Sequence, residues 1–286
     1  MGQTVQFEKI IIVDNNSIDK TIKICRAYKK VNCIELNYNS GYSKAANLGI
    51  EATKTDLCVV ANSDIILKKD FVEKTVEYFN KNEKTDIMSP LILRFDKKTV
   101  DSAGLDCSIS LFPKDIGYNK KIDDIELREN KIFSVCGAAT VFKRKALERL
   151  KIAKEYYDED FFMFWEDFDI GWRANLLNMN VFFHPEAVVY HYRSATLKLN
   201  FLSKIALSLG RSPEIKYHLV KNRYLTLIKN FYFKKLWYHI PFIIGKDIIW
   251  VGILTISSPK IIIKLLLSLN LISKAFKKRK LLKKND

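Results

Sequence analysis

From Lys9 onward the chain alternates short β-branched runs with amphipathic stretches of helix length. The runs Ile10–Val13, Asn32–Leu36, Leu57–Ala61 and Asp86–Leu93 read as strands. Between them Asp19–Lys30, Ser43–Thr53 and Asp70–Asn82 read as helices, each opened by an acidic or hydroxyl residue suited to capping orphan amides. This order predicts an α/β fold with a mostly parallel sheet and crossover helices. Residues 94–131 are polar, carry Gly104, Pro113 and Gly117, and read as loops with one or two edge strands. Order resumes with a strand over Phe133–Phe142, broken at Cys136-Gly137. A short helix Arg144–Leu150, a longer one over Glu166–Asn178 and a last strand Val181–Tyr190 follow.

Beyond Thr196 the pattern changes to helices rich in Leu, Ile, Lys and aromatic residues, which sets a domain 1–197 against a segment 198–286. Charge divides at the same place. The net charge is +16, yet residues 1–197 carry 29 basic and 29 acidic residues, whereas residues 198–286 carry 19 Lys and Arg against 3 Asp and Glu. A balanced domain followed by a basic tail points to an anionic partner surface. Long aliphatic runs around Phe201, Tyr217, Tyr224, Trp237 and Trp250 favour a membrane surface over stacked nucleic-acid bases. Lys246, Asp247, Lys260 and Lys264 divide Ile240–Ile272 into pieces shorter than the roughly 20 residues a span needs, so the expectation is helices lying in the interface, with Lys277–Lys284 on anionic headgroups.

The five cysteines are odd in number and show no CxxC pair, which argues for reduced core thiols. Met1–Lys9 is polar and Ile10–Val13 is too short for a signal h-region, so the expected place is the cytoplasmic side of the membrane.

Candidate chemistry collects at strand ends. Asp14-Asn15-Asn16-Ser17 follows the first strand at the edge where open α/β sheets bind ligands; taken alone it also serves as a turn and helix cap. Asp64 follows Leu57–Ala61 and can take a hard divalent cation. Trp165-Glu166-Asp167-Phe168-Asp169 places three carboxylates at a helix start, where the dipole favours acids and crowding raises at least one pKa. His191 closes the last strand and is a candidate metal or phosphate ligand.

In this order IIIVDNNSID, NYNSGYSKAANLGI, CVVANSDI, SVCGAATVFKR, FFMFWEDFDIGWR and VVYHYRSAT resemble the family 2 glycosyltransferases, in particular the rhamnosyltransferase-like branch, over roughly residues 3–230. The resemblance implies a GT-A-type fold and an inverting transfer of a hexose or deoxyhexose from a nucleotide-sugar donor to a hydroxyl of a glycan or lipid-linked acceptor, in cell-surface polysaccharide synthesis. It implies that Asp14 and Asn16 contact the nucleoside, that Gly41, Lys44 and Asn47 wrap the nucleotide, and that Asn62 and Asp64 form a DXD-like motif. It further implies Gly137, Ala138 and Glu166 on the acceptor side, Asp167 as base, and Asp64 with His191 around Mg²⁺ or Mn²⁺. Family members begin with a further strand and helix before the part resembling Gln3–Ser17, which implies an N-terminally truncated sheet. The alternative that follows is an impaired relative acting as a binding partner.

Overall fold

A long apolar strand buried on both faces organises the α/β part. In the computed structural model, which describes residues 2–192 and 210–282, this is β5 (Ile87–Arg94). Before it come β1 (Ile10–Asp14), α1 (Thr21–Arg26), β2 (Val31–Glu35), α2 (Tyr42–Glu51), β3 (Leu57–Ala61), β4 (Ile65–Leu67) and α3 (Phe71–Lys81). After it come β6 (Val100–Ser102), β7 (Leu105–Cys107), β8 (Pro113–Asp115), β9 (Asn130–Lys131), β10 (Ala139–Lys143), α4 (Arg144–Leu150), α5 (Glu166–Leu176) and β11 (Val181–His191). The chain divides into two units, residues 1–105 with 115–193, and residues 106–114 with 194–286. The expected boundary at 197/198 lies outside the described residues, as do Phe201 and the last two lysines of Lys277–Lys284.

In the first unit a seven-stranded sheet has the order β3-β10-β5-β11-β4, with β6 on β5 and β9 on β11. Strands β3, β5 and β11 point the same way, as crossover helices require, while β10 runs antiparallel between β3 and β5, and β4 antiparallel to β11. The sheet is therefore mixed, and reversed β10 occupies a position the hydrophobic pattern assigned only to a strand. β1 and β2 form a separate parallel pair, and among the described residues no ladder joins β1 to β3. Pro90 has no N–H to give to the centre of β5, and β11 bulges between His184 and Val188 just beyond its partner there.

Side chains of β5 alternate between two cores. Ile87, Leu91 and Leu93 join Ile50 of α2, Ala146, Leu147 and Leu150 of α4, and Ile170 and Ala174 of α5. Met88 and Ile92 join Phe71, Val72, Tyr78 and Phe79 of α3. Helices on both faces explain the unbroken apolar run. The Phe133–Phe142 stretch forms a strand only from Ala139, because residues 134–138 turn toward α5. The helix caps also differ from expectation: α2 opens on Gly41, and the Asp70 side chain gives α3 no cap but pairs with Lys68 at 3.0 Å. All five cysteines are free thiols.

The second unit is helical over Pro213–Asn230, Phe233–Leu236, Ile240–Ser257, Lys260–Leu267 and Leu269–Leu282. Arg223 donates from Nε to Asp247 at 2.6 Å and from its terminal nitrogens to the carbonyls of Leu111 and Ser110, and stacks on Phe112. Asp247, expected to interrupt an apolar run, is thus buried and neutralised. Phe233–Ser257, 25 residues containing an 18-residue window of mean hydropathy 1.7, is long and apolar enough to cross a membrane by length and composition. Ile244, Ile248, Ile249 and Ile256 on it are exposed, as are Ile262, Ile263 and Leu267 beyond it.

Candidate active site

The β1 end carries Asp14, whose Oδ2 accepts from the Ser17 N–H at 2.9 Å in a local turn, so for that oxygen the turn reading holds, while α1 begins only at Thr21 without a side-chain cap. Asn16 is exposed with φ 67°, in the left-handed region Asn tolerates. The neighbouring Asn15, not singled out in the sequence, accepts from Ser40 N–H at 2.7 Å and donates to the Gly41 carbonyl at 3.1 Å. It ties the β1 loop to the start of α2.

Gly41, at φ 83°, lies so close to Phe162 that a Cβ there would come within 2.5 Å of the ring and 2.6 Å of the carbonyl. The contact has a purpose, since the Phe162 carbonyl accepts from Tyr42 N–H at 2.6 Å and caps α2. Phe162, Phe164 and Trp165 hold φ of 66°, 68° and 72°. Three non-glycine residues in that region cost about 1–3 kcal/mol each, which concentrates strain in the loop leading into α5. Lys44 is held by Tyr38, whose hydroxyl raises its pKa. Asn47 is buried, and its amide donates to the Tyr157 carbonyl at 2.8 Å while its carbonyl accepts from Tyr157 N–H at 2.8 Å. Both ends of that side chain bond to the 150–160 loop, which gives the residue expected as a nucleotide contact a structural task.

At the β3 end Asn62 N–H donates to the Ala138 carbonyl at 3.0 Å, which sets the Asn62–Asp64 turn beside Gly137-Ala138. Gly137 N–H donates to Asp167 Oδ2 at 3.0 Å, and a Cβ on Gly137 would press on that same oxygen at 3.2 Å. Ser134 Oγ, also missed in the sequence, donates to the Asp167 carbonyl at 2.6 Å. Asn62, Gly137-Ala138 and Asp167 are thereby linked although up to 105 positions separate them in the chain.

The two acids at the start of α5 differ in environment. Burial first, and the Asp167 charge second, push the Glu166 carboxyl up to about 8. Burial also raises Asp167, but the N–H groups of Gly137 and Phe168 donate to its two oxygens and pull it back. Of this coupled pair Glu166 is the acid pushed toward its neutral form, while Asp167 has the Gly137 and Phe168 donors to support its charge. Asp169, third of the acids, is instead a structural partner: it binds the buried Arg173 at 2.9 Å, whose other nitrogens hold the Leu150 and Tyr156 carbonyls.

His191 lies at the far end of β11, where Nε2 is 3.3 Å from Asp64 Oδ2 and Nδ1 is 2.8 Å from Asp101 Oδ2. Asp64 is 49% exposed, whereas Asp101 is 1% exposed. Among the described residues no group of three or more His, Cys, Asp and Glu side chains is set to hold a metal unaided. A carboxylate and an imidazole on an open edge do fit a Mg²⁺ or Mn²⁺ ion that takes its remaining ligands from phosphate and water. Cavities of about 500 and 400 Å³ lie elsewhere, along β1 and β2, lined among others by Arg26 and Glu35 and by Gln3 and Lys30.

Comparison with known proteins places this geometry. The model of the Glycosyl transferase family 2 matches residues 2–151. Poly-beta-1,6-N-acetyl-D-glucosamine synthase of Staphylococcus epidermidis is 25% identical over 193 residues, 64% of this chain and 42% of that protein. The chain thus spans under half the length of such relatives. Among solved structures, S. aureus TarS 1-349 in complex with UDP-GlcNAc superposes with a TM-score of 0.57 at 12% identity, covering 86% of this chain and 66% of that one. The mannosyltransferase PcManGT from Pyrobaculum calidifontis, in complex with GDP-Man and Mn²⁺, gives 0.53 at 13% identity over 99% and 79%. These likenesses establish a GT-A-like α/β fold.

Proposed function

The chain belongs to glycosyl transferase family 2, and on that premise we propose that it transfers a hexose or deoxyhexose, such as rhamnose, from a nucleotide-sugar donor to a hydroxyl of a glycan or lipid-linked acceptor, with inversion. The reading places it in cell-surface polysaccharide synthesis at the cytoplasmic face of the membrane. One observation carries it: Asp167, beside Glu166, accepts from Gly137 N–H, the adjoining Ala138 carbonyl accepts from the turn that presents Asp64, and Asp64 lies 3.3 Å from His191 at the end of β11. In this reading Asp167 takes the proton of the acceptor hydroxyl, that oxygen forms the new bond at the anomeric carbon, and the bond to the nucleoside diphosphate breaks. Asp64 and His191 would hold a divalent cation, which offsets the charge on the departing diphosphate. Gly137 N–H keeps the base oriented, and the Phe162 carbonyl fixes α2 next to it. The sugar nucleotides named for TarS and PcManGT, and the Mn²⁺ named for the latter, support a donor and metal of that kind.

The exposed isoleucines and leucines between Ile244 and Leu267, with the basic residues Lys277–Lys280, support anchoring of the second unit on an anionic membrane surface. A second reading, binding without turnover, has one observation in its favour, namely that the strand bearing Asp14 is not laddered to the strand leading to Asp64.

The test is release of nucleoside diphosphate by the full chain with Mn²⁺ or Mg²⁺ and a panel of nucleotide sugars, beside Asp64→Ala and Asp167→Asn. Turnover of one donor that disappears in both variants is expected. Nucleotide binding without turnover of any donor would favour the second reading.

A further inference from the structure

The strand ends around His191 carry a buried acid that no motif in the sequence announced. β6 pairs antiparallel with β5, Leu93 opposite Val100 and Ile92 opposite Ser102, which puts Asp101 beside the end of β5. His191 closes β11 opposite Arg94 and Ile65. Asp101 faces His191 Nδ1 at 2.8 Å, and its other oxygen lies 3.8 Å from Arg94 Nε. Desolvating a carboxylate is costly, and the ion pair with Arg94 is too long to be a strong charge-assisted hydrogen bond.

A carboxylate can only accept, so Nδ1 must be the nitrogen that carries hydrogen. In the neutral ring this leaves the lone pair on Nε2, and that nitrogen looks at Asp64 Oδ2 from 3.3 Å. Two acceptors facing one another are a poor pair in isolation and a good seat for a cation. We infer that Asp101 is a positioning residue: it fixes His191 as the Nδ1–H tautomer and so presents Nε2, together with Asp64, to a divalent cation. Such outer carboxylates orient metal-binding histidines and raise their basicity. The inference rests on the reading of Asp64 and His191 as the metal seat, and adds to it the residue that makes the imidazole a ligand. Arg94 in turn steadies Asp101, being held by a hydrogen bond to Asn119 and by stacking on Tyr118.

The experiment uses the full chain and two readouts that do not depend on turnover. Mn²⁺ binding is titrated by electron paramagnetic resonance, with and without UDP, for the native protein and for Asp101→Asn, Asp64→Asn and His191→Gln. Long-range ¹H–¹⁵N spectra report the tautomer of His191, assigned by the loss of its signal in His191→Gln. Native His191 is expected in the Nδ1–H form, and Asp101→Asn is expected to weaken Mn²⁺ binding about 10–100-fold while populating the other tautomer. Unchanged thermal unfolding of Asp101→Asn would separate this loss from a packing defect. Normal Mn²⁺ affinity in Asp101→Asn, with loss in the other two variants, overturns the role of Asp101 and leaves the metal seat standing. A native protein that binds no Mn²⁺ overturns both. An Nε2–H tautomer in the native chain overturns the inference without any variant, even if Asp101→Asn fails to fold.

Discussion

Replacing Glu166 by Gln makes permanent the neutral form that the fold imposes. Burial and the adjacent Asp167 charge lift this carboxyl from 4.5 to about 8. Below pH 4.5 native and unfolded chains both hold the proton, and the acid contributes its full share of stability. As pH rises toward 8 the unfolded chain releases a proton that the native chain still binds, so native stability falls through that window. At pH 7 the difference spans about 2.5 pH units, and at roughly 1.4 kcal/mol per unit the native protein has lost about 3 kcal/mol relative to its acid form. The Gln variant cannot ionise in either state and escapes that loss. Chemical unfolding between about pH 4.5 and pH 7 should therefore show Glu166→Gln gaining on the native protein by up to ~3 kcal/mol at the neutral end, with little difference at the acid end. Transfer activity of Glu166→Gln should survive at neutral pH, because Asp167 remains as the base with its Gly137 and Phe168 donors, whereas Asp167→Asn should abolish it. Parallel pH slopes for native and Glu166→Gln would refute the assignment of the proton. Activity retained in Asp167→Asn and lost in Glu166→Gln would exchange the roles of the two acids.

Asn47→Ala leaves the Tyr157 N–H and carbonyl without their partner and should cost about 1–3 kcal/mol in thermal or urea unfolding. Nucleotide affinity of the protein that remains folded, read by calorimetry, should stay near the native value; a loss of tenfold or more would restore Asn47 as a nucleotide contact. Gly41→Ala should destabilise by at least about 1 kcal/mol, since φ 83° and the Phe162 ring both oppose a Cβ, and nucleotide affinity should fall with the displaced loop. Deleting residues 240–286 should move the protein from the membrane to the soluble fraction, and unchanged membrane recovery would remove the second unit from that role.

Much of the scaffold was legible locally. The strand Leu57–Ala61 and the helix Arg144–Leu150 occur with the boundaries their patterns predict, and Ile10–Val13 gains only Asp14. Periodicity succeeds there because it records which face of a short segment is apolar, and that is settled within a few residues. The acids and the histidine at strand ends were legible for a related reason: a polar residue straight after an apolar strand emerges at the sheet edge.

Tertiary structure decided the partnerships. Asp101 and His191 are 90 positions apart, and nothing in the segment around Asp101 distinguishes it from other polar loop residues until β6 is laid on β5 next to β11. Asn47 was expected as a ligand contact from a resemblance of its motif, and its distance of 110 residues from Tyr157 conceals the clamp it makes. Asp247 looked like a charge that breaks an apolar surface until Arg223 buried it. In each case the sequence determined the chemical type of a side chain. Its role depended on which groups of opposite hydrogen-bonding character the strand order and loop packing brought within about 3 Å, because such interactions decay too steeply with distance to be encoded by any local pattern.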